Sequence, residues 1–461
     1  MKVTPQELVE HALATTTSDG CVVILATTTS ANLRWANNTL TTNGVMHHAT
    51  VTVVATKGPA SKATAGVVTG SAAAFEQITD LVESADAAAA AAGPAEDARP
   101  LATGDADAAW DQPPGTTTVS VFDSFAPALG EAFGRARDAK RVLYGYVEHE
   151  VTTTYLGSST GLRLRHEQPT GHVGITGKSA DLTRSAWVGQ ATRDFGDVDA
   201  LALDDELARR LGWAAQSVDL PAGRYETLLP PTAVADLMVY LYWSSSARDA
   251  FDGRSVFSRP GGGTRVGDSL SPQDLRLYSD PALAGLECSP FVLAPQSTSE
   301  LSVFDNGLPV SETDWIRGGE LSSLLQTRHS AELTSLPVTP AIDNLALSVT
   351  PGQGSVDEMV ARTERGLLLT CLWYIREVDP QTLLLTGLTR DGVYLVENGE
   401  VTGAVNNFRF NESPVDLLGR FTDAGATVPT ISREWGDYFP RTAMPTLRVP
   451  DFNMSSVSQA S

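Results

Sequence analysis

Residues 387–410 have the sequence GLTRDGVYLVENGEVTGAVNNFRF, and this stretch decides the fold. A short β-prone run, 393–396, is followed by Asn398-Gly399, a pair that readily adopts the positive φ angles of a two-residue turn. The return strand, 401–405, contains Gly403, and a glycine inside a strand marks a bulge or a close backbone approach. The stretch therefore predicts a β-hairpin with a tight turn.

A further strand and a helix are expected directly after this hairpin. Asn406-Asn407 interrupts the apolar pattern, which alternates again over residues 408–410. Ser413 is a good helix N-cap, and Pro414 suits the first helical position.

The same stretch resembles the C-terminal signature of the TldD/PmbA family, RDGVxLxENGExxGxVxNxRF, which includes proteins labelled modulators of DNA gyrase. The charged, turn and aromatic positions agree in register, so the chain is identified as a member of this family. The matching residues are Arg390, Asp391, Gly392, Val393, Leu395, Glu397, Asn398, Gly399, Glu400, Gly403, Val405, Asn407, Arg409 and Phe410. We expect a structural role for Asp391, Gly392, Asn398, Gly399, Asn407, Arg409 and Phe410.

The resemblance implies an α+β fold, with an N-terminal domain of helices packed on a β-sheet and a β-rich C-terminal domain. The expected segments are an N-terminal α/β segment (1–85), an Ala/Pro/Asp-rich linker or long loop (86–116), the second part of the N-terminal domain (117–222), the C-terminal domain (223–450) and a polar tail (451–461). A helix–strand–strand pattern occurs at 5–55 and again at 122–175, which raises the hypothesis of an internal duplication.

Local patterns give further expectations for the elements. We expect strands at 21–25, 33–36 and 50–55 with turns at Asn37-Asn38 and Asn43-Gly44, and a helix at 71–92. In the second half we expect a Pro-rich boundary at 221–231, a long helix at 232–247 and a strand buried on both faces at 366–375.

Composition excludes several classes of protein. The 461 residues carry a net charge of −22, which argues against direct nucleic-acid binding and gives the gyrase label no support as a DNA contact. Three cysteines are too few and too scattered for a disulfide framework. No secretion signal and no apolar run of about 20 residues is present, so the sequence predicts a cytoplasmic protein that does not bind a membrane.

The resemblance also says where chemistry would be expected. The catalytic branch of the family, TldD, carries HExxxH on the long helix: the histidines bind zinc, the glutamate is the general base, and a cysteine near the C-terminus completes the site. In this chain Val239, Tyr240 and Ser244 take the places of His, Glu and His, and no cysteine follows Cys371. This pattern resembles TldE, also called PmbA, the metal-free partner subunit, and we expect no catalytic or metal-binding residue here.

Other histidines are weak candidates for a metal site. His149-Glu150 is half a zinc motif, but Thr153 and Thr154 stand where the second histidine would be. His166 and His172 are separated by Pro169 and Gly171, which exclude a helix, so we interpret them as two surface histidines on a turn. We also expect a turn at His47-His48.

Nucleophilic catalysis and phosphate binding lack support as well. Cys371 lies in an apolar run, where a thiol is an inert part of the core, and nothing pairs it with His329. Residues 261–263 are three glycines without the Lys-Ser/Thr of a phosphate-binding loop, which indicates a flexible loop.

The resemblance thus implies a non-catalytic subunit of a TldD/TldE-type metalloprotease complex that cleaves small or unfolded peptides. The implied partner is a TldD-like catalytic subunit that holds the zinc, in a heterodimer, or a homodimer when the chain is alone; no cofactor is expected in this chain. The substrate would be an extended peptide bound at a sheet edge. Two alternatives stay open: a stand-alone peptide-processing enzyme with an unconventional site, and a peptide-binding regulatory module.

Overall fold

The computed structural model describes residues 3–458 as three β-sheets with helices packed against them, an α+β fold as expected. The first half contains α1 (Pro5–Thr15), β1 (Gly20–Ala36), β2 (Thr39–Lys57), β3 (Thr64–Gly70), α2 (Phe75–Ala91), α3 (Phe125–Asp138), β4 (Arg141–Ser158), β5 (Arg163–Ser179), β6 (Ser185–Thr192) and α4 (Ala200–Trp213). Among the described helices, none is both long and apolar enough to cross a membrane.

The second half is richer in short strands. It contains β7 (Ser217–Val218), β8 (Gly223–Leu229), α5 (Pro231–Trp243), α6 (Ala247–Phe251), β9 (Asp274–Ser279), β10 (Thr313–Arg317), β11 (Glu320–Leu321), α7 (Arg328–Thr334), β12 (Leu345–Thr350), α8 (Val356–Ala361), β13 (Arg365–Leu369), β14 (Trp373–Asp379), β15 (Leu384–Leu388), β16 (Val393–Glu397), β17 (Glu400–Val405), β18 (Phe408–Glu412), α9 (Pro414–Arg420), β19 (Asp423–Ala424), β20 (Val428–Thr430), β21 (Thr442–Met444) and β22 (Leu447–Val457).

The first sheet has the strand order β3-β2-β1-β4-β5-β6, and all its neighbouring strands are antiparallel. The order helix, three strands, helix occurs twice, as α1 to α2 and as α3 to α4, and the two copies meet at the β1–β4 pair. This symmetric arrangement supports the hypothesis of an internal duplication. All four helices pack on one face of the sheet, where alternate residues of β1 such as Val23, Leu33 and Trp35 are buried.

The other two sheets form the second half. One has the order β11-β10-β9-β12-β21-β20; the other has the order β14-β15-β18-β22-β8-β13-β16-β17-β7, with β19 also paired to β22. Helix α5 lies between them, in a single hydrophobic core to which both sheets contribute. The predicted hairpin is β16–β17: Asn398 and Gly399 have φ of 53° and 83°, and the bulge falls at Thr402, immediately before Gly403.

Several local predictions were wrong because long-range pairing overrides local turn signals. The turn at Asn37-Asn38 is confirmed, but Asn43-Gly44 and His47-His48 lie inside β2, paired with residues of β1. The separate strands expected at 21–25 and 33–36 are parts of one strand, β1. The expected turn between His166 and His172 is instead continuous strand β5, in which Pro169 lies opposite Val151.

The predicted linker at 86–116 begins inside a helix. Alanine is the strongest helix former, and α2 continues to Ala91 before Gly93-Pro94 ends it. The remainder is a long loop, but part of it is core: Trp110 is buried and lies edge-on against Tyr155, whose hydroxyl donates to the Gln112 carbonyl at 2.7 Å.

Three further boundaries differ from expectation in the second half. The expected boundary at 221–231 contains β8, a strand inside the largest sheet, and the helix predicted for 232–247 ends at Trp243. The buried strand predicted for 366–375 is divided into β13 and β14 by residues 370–372. The tail predicted for 451–461 is strand β22 up to Val457, because Phe452 and Met454 are buried; residues 459–461 lie outside the described part.

Candidate functional site

Helix α5 is buried on nearly every side. Its sequence, PTAVADLMVYLYW, is apolar around the whole circumference, as expected of a helix enclosed by two sheets. Val239 is fully buried, and the Tyr240 ring lies 5.7 Å from the Trp435 ring. Ser244 caps the helix C-terminus, where its hydroxyl donates to the Tyr240 carbonyl at 2.9 Å. These three side chains pack or cap the helix.

Asp236 is the one charged residue of α5, and it is completely buried. Its Oδ1 accepts hydrogen bonds from the Ser432 hydroxyl and, at 2.8 Å, from the Glu434 amide. Its Oδ2 has no hydrogen-bond partner among the described residues. Because burial disfavours the charged form, the pKa of Asp236 is raised to about 7.

The segment 431–439 is fixed to α5 by these bonds and by aromatic contacts. The Trp435 indole donates to the Asp236 carbonyl at 3.0 Å and packs 5.4 Å from the Trp243 ring. On the opposite side, the Arg433 guanidinium lies 4.7 Å from the Trp187 ring of the first sheet and 3.8 Å from the Trp373 ring. The 431–439 segment therefore connects α5 with the first sheet.

The face of the first sheet that its helices leave uncovered is polar over much of its length. On this face β1 presents Thr28, Ser30, Asn32 and Arg34, and the adjoining residues of β4 and β5 are Thr152, Glu150, Glu148, Tyr146, Gln168, Thr170, His172 and Gly174. Arg441 reaches this face, donating to the Thr170 hydroxyl at 2.9 Å. Burial is the main cause that raises the pKa of Glu150. The neighbouring Glu148 raises this pKa further, whereas His48 lowers it.

Two cavities flank the 431–439 segment. One, of about 520 Å³, lies between residues 431–437 and the polar sheet face; its lining includes Arg34, Tyr144, Tyr146, His172, Trp187 and Arg433. The other, of about 470 Å³, is mainly apolar and includes Trp243, Phe291, Leu301, Ile342, Tyr438 and Phe439 in its lining. Both have the volume of small-molecule sites.

Comparison with known proteins places the chain in a family. A profile of the PmbA/TldA metallopeptidase C-terminal domain matches residues 222–456, just over half of the chain. The chain belongs to the PmbA/TldD family. No curated protein matches it in sequence.

Solved structures of the same fold cover nearly the whole chain. TldE from Thermococcus kodakarensis is 16% identical with a TM-score of 0.77, and the match covers 97% of this chain and 99% of that one. A protein from Thermotoga maritima, named for a proposed role as a modulator of DNA gyrase, is 17% identical with a TM-score of 0.77 over 98% and 100%. A similarly named protein from Bacteroides thetaiotaomicron is 13% identical with a TM-score of 0.74 over 99% and 100%.

Several PmbA/TldD signature residues lie where the backbone conformation or close packing restricts which side chain fits. Asp391, with φ of 61°, accepts a hydrogen bond from Ser185 of β6, which joins the two halves of the chain. A Cβ on Gly392 would lie 2.2 Å from the Thr370 hydroxyl oxygen, and one on Gly399 would lie 2.6 Å from the Ala361 carbonyl oxygen.

The remaining signature residues lie on or beside β18. Arg409 donates to the Thr386 hydroxyl at 3.3 Å, and the buried Phe410 ring lies 5.8 Å from Phe452. The Asn407 carbonyl accepts from the Ser458 amide at 2.8 Å.

The histidines considered from the sequence do not converge. Both ring nitrogens of His149 are in hydrogen-bond contact, with Thr117 Oγ1 at 2.7 Å and with the Arg193 carbonyl at 2.8 Å. His166 and His172 are six residues apart in one extended strand, hence roughly 20 Å apart, too far to share an ion. Within residues 3–458, no three His, Cys, Asp or Glu side chains are grouped so that they could hold a metal ion.

Cys371 and His329 are likewise engaged in the protein. Cys371 is fully buried with Trp187 and Ile431, and burial raises the pKa of its thiol to about 12. The His329 ring lies between two arginines, with Arg99 at 3.3 Å and Arg248 at 3.1 Å. Residues 261–263 all have positive φ and form a loop that does not lead into a helix.

Sequence reasoning missed Asp236, Arg34 and Arg433. A signal for Asp236 was present, because a lone carboxylate in an apolar helix has to find hydrogen-bond donors. Arg34 and Arg433 come together only through the contact of the two halves, which no local pattern reveals.

Proposed function

We propose that this chain is a TldE/PmbA-like, non-catalytic subunit of a TldD/TldE-type metalloprotease complex, with the zinc site in its TldD-like partner. The chemistry of α5 carries the proposal. Val239 offers no ligand atom, and the Ser244 hydroxyl is bonded to the helix itself. Burial raises the pKa of Tyr240, so this phenol stays neutral and does not replace a carboxylate base.

An extended peptide is the substrate class that the first sheet would accommodate. Strand β2 pairs with β3 only over 51–57, so residues 39–50 leave one strand edge unpaired within the described chain. Leu40, Val45 and Met46 are exposed on this part of the strand. A peptide that added as a strand here would be held by main-chain hydrogen bonds, which tolerate many sequences. Such binding suits a subunit that guides peptides toward a partner's zinc.

Mixing this chain with a homologue that carries HExxxH tests the proposal. Mass, zinc content and hydrolysis of an unstructured peptide would be measured for each protein alone and for the mixture. We expect a heterodimer that cleaves the peptide, with zinc only in the homologue and no activity in this chain alone. Cleavage by this chain alone, or stoichiometric zinc bound to it, would overturn the proposal.

A further inference from the structure

Two arginines of the 520 Å³ cavity differ from all others in the described chain. Within residues 3–458, neither Arg34 nor Arg433 makes a hydrogen bond or an ion pair through its side chain, although both line the same cavity. Every other arginine makes at least one such contact. In a protein with a net charge of −22, two unpaired guanidinium groups at one cavity make it a candidate site for an anion.

Arg433 is held in place although it has no carboxylate partner. Trp187 and Trp373 contact its guanidinium, and cation–π contacts of this kind leave the N–H edge available to an acceptor. The Nε of Arg433 is buried and has no acceptor among residues 3–458, as is also true of the Nε atoms of Arg99, Arg165 and Arg390. The terminal nitrogens of Arg433 are not among these buried atoms and make no hydrogen bond within the described residues, so their N–H groups are the ones that can donate to a ligand in the cavity.

The carboxylates at and beside the cavity are not ion-paired with the two arginines in the described part of the chain. Asp437 is the one carboxylate among the lining residues, and its side chain is 82% exposed, 3.9 Å from His172. Burial lowers the pKa of His172, so this ring is neutral at pH 7. The nearby Glu148 accepts a hydrogen bond from the Tyr146 hydroxyl at 2.9 Å. Glu148 keeps its negative charge beside the cavity, but within residues 3–458 neither Glu148 nor Asp437 forms an ion pair with Arg34 or Arg433.

The walls of the cavity suit a planar or apolar group beside the anion. Tyr144, Tyr146 and Trp187 provide aromatic surface, and Gly174, which also lines the cavity, adds no side chain to it. Arginine forks bind carboxylates through paired hydrogen bonds. We propose that this cavity binds the carboxylate of an organic acid, either the C-terminal carboxylate of a peptide or a free small carboxylic acid. The inference does not depend on the subunit role.

Binding of matched acid and amide probes to the full chain tests the inference. Calorimetry would compare N-acetylphenylalanine with its amide, and a hexapeptide ending in phenylalanine with its C-terminal amide. We expect each acid to bind about tenfold or more tightly than its amide, because the amide lacks the charge that the arginines pair with. Equal binding of acid and amide, or no binding of any probe, would overturn the inference.

Substitutions of the two arginines test whether the acid binds in this cavity. Arg433→Gln and Arg34→Gln should each abolish most of the preference for the acid, whereas Arg317→Gln, which removes the same charge at a position 71% exposed, should keep it. Arg433→Lys should recover only part of the preference because lysine lacks the fork. Circular dichroism would verify folding, and Arg34, which is exposed, provides a test even if the Arg433 variants fail to fold. A preference that survives in both glutamine variants would contradict the proposed site.

The two sources of carboxylate are distinguished by the same data. Tighter binding of the hexapeptide than of N-acetylphenylalanine assigns the site to peptide C-termini, and equal binding assigns it to small acids. Because the assay needs neither the partner nor cleavage, its failure leaves the subunit role standing. Failure of the mixing experiment likewise leaves the carboxylate site standing.

Discussion

The Ser432 hydroxyl donates a hydrogen bond to the buried carboxylate of Asp236, a residue nearly two hundred positions earlier in the chain. This bond fixes the 431–439 segment on α5 and thereby places Arg433 at the cavity on the polar sheet face. Since the second carboxylate oxygen has no partner, the charge of Asp236 is poorly compensated. The contact that organises the candidate site is therefore sensitive to protonation.

Asp236→Asn should remove a pH dependence of stability. The folded-state pKa is about 7, above the value of 3.8 for a free aspartate, so the folded protein binds the extra proton between these values. The wild type should therefore lose stability as pH rises from about 4 to about 7, by about 4 kcal/mol in all relative to the asparagine variant, and about 3 kcal/mol of this loss falls between pH 5 and pH 8. Urea unfolding of both proteins at pH 5 and pH 8 measures this difference. An identical pH response would contradict the assignment.

Val239→Ala should destabilise the fold, as expected if this position belongs to the core. Loss of the two methyl groups of this fully buried valine leaves a cavity and should cost about 2 kcal/mol in the free energy of unfolding. Val378→Ala is a matched control, since Val378 is 56% exposed and should change stability by no more than about 0.5 kcal/mol. Equal effects in urea unfolding would show that position 239 is not packed as described.

Gly399→Ala should damage the turn of the family signature. The φ of 83° is unfavourable for alanine, and the new Cβ would lie 2.6 Å from the Ala361 carbonyl oxygen. We expect a loss of about 2 kcal/mol or more in the free energy of unfolding. Gly130→Ala, at an exposed helix position with nothing within 4 Å, should instead gain about 0.5–1 kcal/mol. A neutral result for Gly399→Ala would argue against the tight turn.

All three cysteines should be unreactive in the native protein. Cys21, Cys288 and Cys371 are buried, and burial is the main cause that raises the pKa of each thiol to about 12. A disulfide reagent at pH 8 should label none of them until denaturant is added, after which three thiols should react. Rapid labelling of Cys371 in the folded protein would contradict this prediction and make Cys371 a candidate nucleophile.

The sequence could predict elements whose signals are local. The turns at Asn37-Asn38 and Asn398-Gly399 and the capped helix after Ser413 are found where expected, because each is determined by neighbouring residues. Asn43-Gly44 carries the same kind of signal, yet it lies within β2, where pairing with Leu33 and Asn32 outweighs it. The long strands of the first sheet are products of such tertiary pairing, which a local window does not contain.

The candidate site could be predicted only in part. The proposal that Val239, Tyr240 and Ser244 replace the residues of a zinc motif can be made from the sequence once the family signature is known. Arg34 and Arg433, by contrast, lie in different halves of the chain, and their lack of ion pairs is a property of the folded molecule. The sequence shows that both residues are positively charged, but it does not show that they line one cavity.

Hydrolysis by the mixed complex with an inactivated partner tests the central claim most directly. The HExxxH glutamate of the homologue would be replaced by glutamine, and the variant would be mixed with this chain and an unstructured peptide. The account predicts an intact heterodimer without peptide cleavage, because the only catalytic base belongs to the partner. Cleavage that persists at the rate of the unmodified complex would contradict the account and assign the chemistry to this chain.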